Sequence, residues 1–517
     1  HPVILLLKVW RFASLGRMTS LDESVQETHT RTGEDVSVSH AASMMTDSSA
    51  PEGARLVSWA ESHGGRVSKK VGFLQPCNGD RTCVAQSAVQ EDELIVEMPK
   101  TVVFASPPCE PPVGVPSSLV ALLGRTVERR NVAVALLLHH EHMRGDVSEF
   151  STYIGCLPRS FPMPFLQTVP GTVTEGSSTD AASDKVNVTS GERDLYCGTG
   201  VELLAQSGAS LCDLHGVMLM ERLIEELDPE GMWWHKAQRS RAALQWAAAA
   251  VQSRAHASRN GTALVPLADA FNHSYSPNAE VFEGTATFQV RALRSIAPGE
   301  ELTISYGHFS NSELLFNAGF VLDVNPDDCI LVSRRELLEA AHRRWIDKGE
   351  EPPADLSERC EALGAGMPPP RLRAVLPLLG GAVPPRAVTM LAGLLVSRDT
   401  WAQFEDGGLG NLHDGWALEQ SSAAEALRSD VTHAVYDLIE AVLRPRYAGT
   451  TVEADRIALA TMTHAVDRGA ADRRRQQILQ VRLGERALLE KLSDAVQSRL
   501  GMKAATSGEP VAKRSRR

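Results

Sequence analysis

The chain has 517 residues, of which 43% are hydrophobic and 22% charged, so it is long enough to form more than one folded domain. Its formal net charge of −12 opposes binding of nucleic acid over the whole surface, and we expect no nucleic-acid partner. The 8 cysteines include no C-x-x-C pair, which indicates reduced thiols in an intracellular protein and no metal site.

The N-terminal segment is polar after an apolar run that is too short to span a bilayer, and we expect no membrane partner. Arginine, serine and threonine are frequent between Arg11 and Ser49, as in organelle transit segments, but acidic residues such as Asp22 and Glu34 favour simple disorder. We therefore predict a disordered or targeting segment over residues 1–52. The expected location is cytoplasmic or nuclear, with the chloroplast as the alternative if this segment is a transit peptide.

Folded structure is predicted to begin where short apolar runs replace this polar segment. The pattern predicts a helix around residues 56–60, ended by two glycines, and an alanine- and leucine-rich helix over residues 131–143. Short strands are predicted at residues 71–74, 83–85 and 94–98. The block over residues 167–194 is rich in Gly, Ser, Thr and Asp and is predicted to be a disordered insertion.

The pattern then alternates before it becomes helical. Helices are predicted at residues 211–227 and 230–256, and strands at 263–266, 280–282, 285–292 and 301–305. After residue 333 the pattern is almost wholly helical, with breaks at prolines. We therefore place a domain boundary near residue 335. The predicted units are a first domain over 53–335, a helical domain over 336–500 and a basic disordered tail over 501–517.

The residues most informative about chemistry lie between Ser253 and Phe320. Four motifs follow one another there: Ser253-Arg254-Ala255 at a helix end, D-x-x-N-H-S at 269–274, G-E-E-x-x-x-S-Y-G at 299–307, and S-N-S-E-L-L at 310–315 followed by Gly319-Phe320. Their order resembles the SET-domain methyltransferases, and within them the branch that contains Rubisco large-subunit lysine methyltransferase, ribosomal-protein lysine methyltransferases and the actin-histidine methyltransferase. Trp59 with Gly64-Gly65, and E-F-x-x-Y-I-x-x-L-P at 149–158, also match this branch.

The resemblance implies an α+β fold. It predicts a β-rich SET-domain core with a threaded, pseudoknot-like active site, a helical insert, and an all-α C-terminal lobe that binds the protein substrate. The implied cofactor is S-adenosyl-L-methionine, without a metal, in a protein that we expect to be a monomer.

The resemblance also assigns cofactor-binding residues. Arg254 would bind the carboxylate of S-adenosyl-L-methionine through its planar guanidinium. Asn272 and His273 would hydrogen-bond the cofactor while Asp269 braces their loop, and Phe320 would stack on the adenine. Ordinary structural alternatives remain open: a helix C-terminus for Arg254, a turn for the Asn-His-Ser run, and a core position for Phe320.

Tyr306 is the predicted catalytic residue and also a cofactor contact. It follows a predicted strand and precedes a glycine, so its phenol can point into a cavity. Methyl transfer needs the attacking nitrogen in line with the sulfur–methyl bond, and most of the rate comes from positioning the two reactants. A lysine acceptor must first lose a proton, whereas a histidine acceptor is already largely neutral near pH 7.

Two departures from the branch bear on function. The turn that usually carries two glycines reads Gly79-Asp80-Arg81-Thr82, and side chains there restrict close approach of the backbone to the cofactor. Ala318 stands before Gly319-Phe320, where the lysine methyltransferases of the branch usually have a tyrosine, and this leaves room for an imidazole.

The predicted function is therefore S-adenosylmethionine-dependent protein-lysine N-methyltransferase. A non-histone substrate is favoured because the zinc-binding cysteine clusters of many histone-directed relatives are missing from the sequence. The alternatives are a protein-histidine N-methyltransferase of the actin type, and a catalytically weak SET-fold pseudoenzyme that binds a partner protein.

Overall fold

The computed structural model describes residues 51–77, 80–107, 109–126, 130–164, 196–207, 210–235, 240–364, 371–373, 386–407, 422–463 and 470–501. The segments predicted to be disordered, at 1–52, 167–194 and 501–517, lie outside the described residues apart from a few residues at their edges.

Short strands in small separate sheets build the first part of the chain. They are β1 (Arg66–Val67), β2 (Val71–Cys77), β3 (Asp80–Ala85), β4 (Leu94–Pro99), β5 (Phe104–Ala105), β6 (His256–Ser258), β7 (Gly261–Leu264), β8 (Asn272–His273), β9 (Ala279–Glu283), β10 (Thr287–Ala292) and β11 (Thr303–Ile304). The largest sheet has the order β1–β4–β10–β9 with antiparallel neighbours. β2 and β3 form a hairpin, β5–β7–β6 form a second antiparallel sheet, and β8 and β11 pair in parallel.

Helices cover and separate these sheets. They are α1 (Glu52–Ser62), α2 (Ser117–Leu123), α3 (Arg130–Arg144), α4 (Ser151–Cys156), α5 (Gly200–Gln206), α6 (Leu214–Leu227), α7 (Arg241–Arg254) and α8 (Asn311–Ala318). Every residue of α3 from Val132 to Glu141 is buried. A helix that is apolar nearly all round has neighbours on every side, and α3 is packed between α7 and the β5–β7 strands. The alanines of α7 allow this close approach.

The prediction of one helix over residues 230–256 is wrong in its first half. Residues 229–235 and 240 are not helical, and they follow Asp228, whose side chain is buried. The Asp228 carboxylate accepts hydrogen bonds of 2.7, 2.9 and 2.9 Å from successive backbone N–H groups, those of Met232, Trp233 and Trp234. A side chain that satisfies these donors competes with helical hydrogen bonding. The chain therefore turns after Asp228, and the helix starts only at Arg241.

The second part of the chain is helical, as predicted, around a core of its own. Its helices are α9 (Arg334–Asp347), α10 (Leu356–Gly364), α11 (Arg386–Leu395), α12 (Arg398–Gly407), α13 (Ser422–Asp437), α14 (Val452–Thr463) and α15 (Ala470–Arg499). One short antiparallel strand pair, β12 (Cys329–Leu331) with β13 (Arg371–Arg373), accompanies them. The α+β class is confirmed. In the described ranges, no helix is both long and apolar enough to cross a membrane.

A buried carboxylate joins the long helix α15 to the first part of the chain. Glu485 is 1% exposed and accepts hydrogen bonds from the Ser312 hydroxyl at 2.6 Å, the Tyr447 hydroxyl at 2.6 Å and the Gly200 backbone N–H at 2.9 Å. Burial raises the pKa of Glu485. Since α8 carries Ser312 and leads to Phe320, this junction fixes the position of α15 relative to the predicted site.

We expect His139→Leu to make the protein less sensitive to acid. His139 is 1% exposed on α3, and neither ring nitrogen has a hydrogen-bond partner among the described residues. Burial lowers the pKa of His139 to about 3 from 6.5. Below about pH 6.5 the unfolded state binds a proton that the folded state does not, so the free energy of unfolding falls as the pH falls. Between about pH 6.5 and pH 5, His139 should lower the free energy of unfolding of the wild type by roughly 2 kcal/mol, and His139→Leu should remove this contribution.

Urea unfolding of the wild type and His139→Leu at these two pH values measures the difference. The matched control is His215→Asn, because His215 is an exposed histidine on α6. Equal pH dependence in His139→Leu and the wild type would show that His139 is not held neutral in the folded protein.

Candidate active site

Two short strands bring the D-x-x-N-H-S and S-Y-G motifs together. Asn272 and His273 of β8 pair in parallel with Thr303 and Ile304 of β11. The segments that follow parallel neighbours leave the sheet on the same edge. Tyr306 therefore lies beside His273, and its backbone N–H donates to Nδ1 of His273 at 3.0 Å.

Three aromatic rings contact one another at this edge. The ring centroids of His273 and Tyr306 are 5.2 Å apart, and the ring of Phe320 lies 6.2 Å from each of them. Gly319, in the left-handed conformation with φ of 78°, ends α8 and turns Phe320 toward the other two rings. Since Nδ1 of His273 accepts a hydrogen bond, the neutral ring carries its proton on Nε2, and burial lowers its pKa.

The phenol of Tyr306 has a fixed direction. Its hydroxyl donates to the backbone carbonyl of Phe271 at 2.8 Å, and the side chain is half-buried. The donated hydrogen leaves the lone pairs of the phenol oxygen directed away from this carbonyl. An oxygen held in this way can accept a weak contact from a group that reaches the site, at no cost in reorganisation.

Arg254, at the end of α7, and Asp269, in the short helical turn before β8, form a second group of contacts. Nη1 of Arg254 donates to the backbone carbonyl of Asp269 at 2.7 Å and lies 4.0 Å from its carboxylate. The hydroxyl of Tyr153 donates to the same carboxylate at 2.9 Å, and burial raises the pKa of Asp269. Among the described residues, Nε of Arg254 is buried without a hydrogen-bond partner.

Asn272 links β8 to the hairpin in which the sequence departs from the branch. Its Nδ2 donates to the backbone carbonyl of Arg81 at 3.1 Å and to the Glu301 carboxylate at 2.8 Å. The hydroxyl of Thr82, which is buried, donates to the same oxygen of Glu301. Thr82 is thus part of the support for β8. Gly79 lies outside the described residues.

The structure brings all the predicted site residues to one segment and its neighbours. His273, Tyr306 and Phe320 contact one another, Arg254 contacts Asp269, and Asn272 lies next to His273 on β8. Sequence reasoning missed the supporting roles of Tyr153, Thr82 and Glu301. Tyr153 and Glu301 lie within motifs that the sequence shows, so a signal was present for these two, whereas Thr82 gave none.

Comparison with known proteins finds a family model that matches the part of the chain containing most of this site. A family model described as SET domain matches residues 80–307. Human SET domain-containing protein 4 is 33% identical over 115 residues, which cover 19% of this chain and 26% of the human protein. The chain therefore matches about a quarter of the length of that curated relative.

Solved structures show the same fold at low sequence identity. The SET domain of LSMT bound to lysine and AdoHcy has a TM-score of 0.55 and 18% identity, over 88% of this chain and 92% of that one. Rubisco LSMT bound to AdoMet has a TM-score of 0.54 and 20% identity, over 87% and 92% of the two chains. The likeness extends over the helical second part as well as the strands.

Proposed function

We propose that this chain, in which residues 80–307 match the SET domain, is an S-adenosyl-L-methionine-dependent protein methyltransferase that modifies a lysine of a non-histone protein. The observation that carries the proposal is the joining of the N-H and S-Y-G motifs at the β8–β11 edge, with Tyr306 held between His273 and Phe320. These are the residues to which the sequence resemblance assigns binding and catalysis.

The residues present fit the proposed cofactor. Arg254 has a buried Nε without a partner among the described residues, and a carboxylate is the acceptor that suits a guanidinium best. Phe320 and His273 present ring faces and edges on which a purine can pack. When bound, S-adenosyl-L-methionine supplies a methyl group on a positively charged sulfur.

Within this proposal Tyr306 positions the reaction. The hydrogen bond to the Phe271 carbonyl fixes the phenol oxygen, and the contacts with His273 and Phe320 fix its ring. The acceptor nitrogen must approach along one line, so a fixed oxygen beside that line lowers the entropic part of the barrier. We assign Tyr306 as the catalytic residue for this reason.

A histidine acceptor is the second candidate within the same class. Ala318 is only partly buried and precedes Gly319 and Phe320, so a small side chain occupies the position where lysine methyltransferases of the branch usually carry a tyrosine. This favours room for an imidazole. Lysine remains the first candidate, because one position next to the site is a weaker argument than the motifs that the chain shares with lysine methyltransferases.

We propose that the helical second part holds the protein substrate. It reaches the site through α15, where Nε2 of Gln477 donates to the Gly319 carbonyl at 3.2 Å. Its surface also carries a groove of about 620 Å³ between α9 and the end of α13, with Asp347 and Asp437 among the lining residues. We also propose that the protein is a monomer and that it binds neither nucleic acid nor a membrane.

The purified full chain, a host cell extract and labelled S-adenosylmethionine test the function. We expect label on a lysine of one or a few proteins, located by peptide mass spectrometry, and thermal protection of the chain by S-adenosylhomocysteine. Label on histidine would select the second candidate. Protection without any label would favour the pseudoenzyme, and the absence of both would overturn the proposed cofactor.

A further inference from the structure

A histidine–aspartate pair lies directly after Tyr306. Nδ1 of His308 is 2.9 Å from Oδ2 of Asp327. A carboxylate only accepts hydrogen bonds, so Nδ1 of the neutral ring carries the hydrogen and the basic lone pair lies on Nε2. The His308 side chain is 70% exposed and that of Asp327 is 18% exposed. The carboxylate is thus held in the protein while the ring reaches solvent.

Asn325 links the two chain segments that carry His308 and Asp327. Its Nδ2 donates at 2.9 Å to the backbone carbonyl of Phe309, the residue after His308. Its Oδ1 accepts the backbone N–H of Asp327 at 2.9 Å. One side chain therefore ties the segment that carries the histidine to the segment that carries the aspartate.

The pair lies at the rim of the candidate active site. Gly307, with φ of 122°, is the single residue between Tyr306 and His308, and few other residues adopt this conformation. Both Asp327 and His308 act electrostatically on His273, whose ring contacts Tyr306. A positive charge on His308 would therefore be attracted by the Asp327 carboxylate and would repel a protonated His273.

We propose that His308, oriented by Asp327, accepts the proton that a lysine acceptor loses before methyl transfer; this rests on the proposed function with lysine as the acceptor. An ammonium N–H bond breaks, its electron pair stays on the lysine nitrogen, and the proton joins Nε2 of His308. The lone pair on the lysine nitrogen then forms the new N–C bond. The bond between the methyl carbon and sulfur breaks at the same time, and its electrons return to sulfur. The imidazolium, paired with Asp327, then releases its proton to solvent.

Initial rates of the purified chain with S-adenosylmethionine test the proposal. The methyl acceptors are free L-lysine and the protein that becomes labelled in the cell extract. We expect His308→Ala to lower kcat about tenfold with little change in KM, and to flatten the fall of the rate at low pH. Added imidazole should restore part of the loss. Asp327→Asn should also lower kcat, whereas Asp327→Glu should lower kcat much less. His215→Ala is the matched control.

A readout independent of turnover is the tautomer of His308, measured by ¹⁵N NMR on histidine-labelled protein. We expect hydrogen on Nδ1 in the wild type and a mixed tautomer in Asp327→Asn. An unchanged pH profile in His308→Ala, or a lower rate that imidazole does not restore, would overturn the proposal and leave the pair a loop tether. A wild type that transfers no methyl group to either acceptor overturns the proposed function itself, and the inference with it.

Discussion

Tyr306→Phe is expected to lower kcat by about 100-fold or more while binding of S-adenosylhomocysteine stays nearly unchanged. The phenylalanine ring preserves the contacts with His273 and Phe320, whose centroids lie 5.2 and 6.2 Å from that of Tyr306. The variant loses only the oxygen that is anchored at 2.8 Å on the Phe271 carbonyl. If that oxygen positions the reaction, its loss affects the rate and not the affinity.

Initial rates with the labelled acceptor and the thermal shift produced by S-adenosylhomocysteine measure the two effects separately. Tyr275→Phe is the matched control, because Tyr275 is close in sequence to β8 but 55% exposed. Turnover equal to that of the wild type would remove Tyr306 from the catalytic role. Lost protection together with lost turnover would indicate that Tyr306 mainly supports the binding site.

Arg254→Lys is expected to weaken binding of S-adenosylhomocysteine by about 10-fold to 100-fold, which corresponds to roughly 1.5–3 kcal/mol for a charged hydrogen bond. Lysine keeps a positive charge near the buried Asp269 carboxylate, so the fold is largely preserved. It lacks the planar fork that donates to the Asp269 carbonyl and that, in the proposed complex, would also donate through Nε to the ligand carboxylate. The effect should therefore fall on affinity.

Isothermal titration calorimetry gives the affinity, and a melting curve without ligand shows whether stability has changed. Arg259→Lys serves as the control, since Arg259 follows α7 by a few residues and is exposed. Wild-type affinity in Arg254→Lys would mean that Arg254 has only a structural role, in which it anchors the Asp269 loop to the C-terminus of α7.

The site residues were predicted from short motifs whose order resembles a known family, and parts of this pattern also have a local physical cause. The D-x-x-N-H-S run follows an apolar strand, and the capping box of Ser310 with Glu313 marks the start of α8 in the sequence itself. The wrong first half of the predicted helix at 230–256 has a local cause too. The carboxylate of Asp228 takes backbone donors that a helix would use, and apolar periodicity does not register this competition.

The turn at residues 79–85 shows how a departure from a motif acquires meaning only in three dimensions. By sequence, Thr82 is a residue where a glycine is expected. In the structure its hydroxyl and the Asn272 amide share one carboxylate oxygen of Glu301. The side chain that restricts the backbone also braces β8, so a loss of glycine need not mean a loss of the site. The threaded connection at the active site stays a prediction.

The sequence by itself determined the helical second part, because apolar periodicity is a local property of the chain. The resemblance of its motifs to a known family predicted the α+β class and the residues proposed to have chemical roles. Only the tertiary structure decided which of these residues meet. The β8–β11 pairing, the Glu485 junction across 285 residues to Gly200 and the His308–Asp327 pair across 19 residues all depend on the folded path. Hydrogen bonds between distant segments form where packing brings a donor to an acceptor, and no local pattern specifies that meeting.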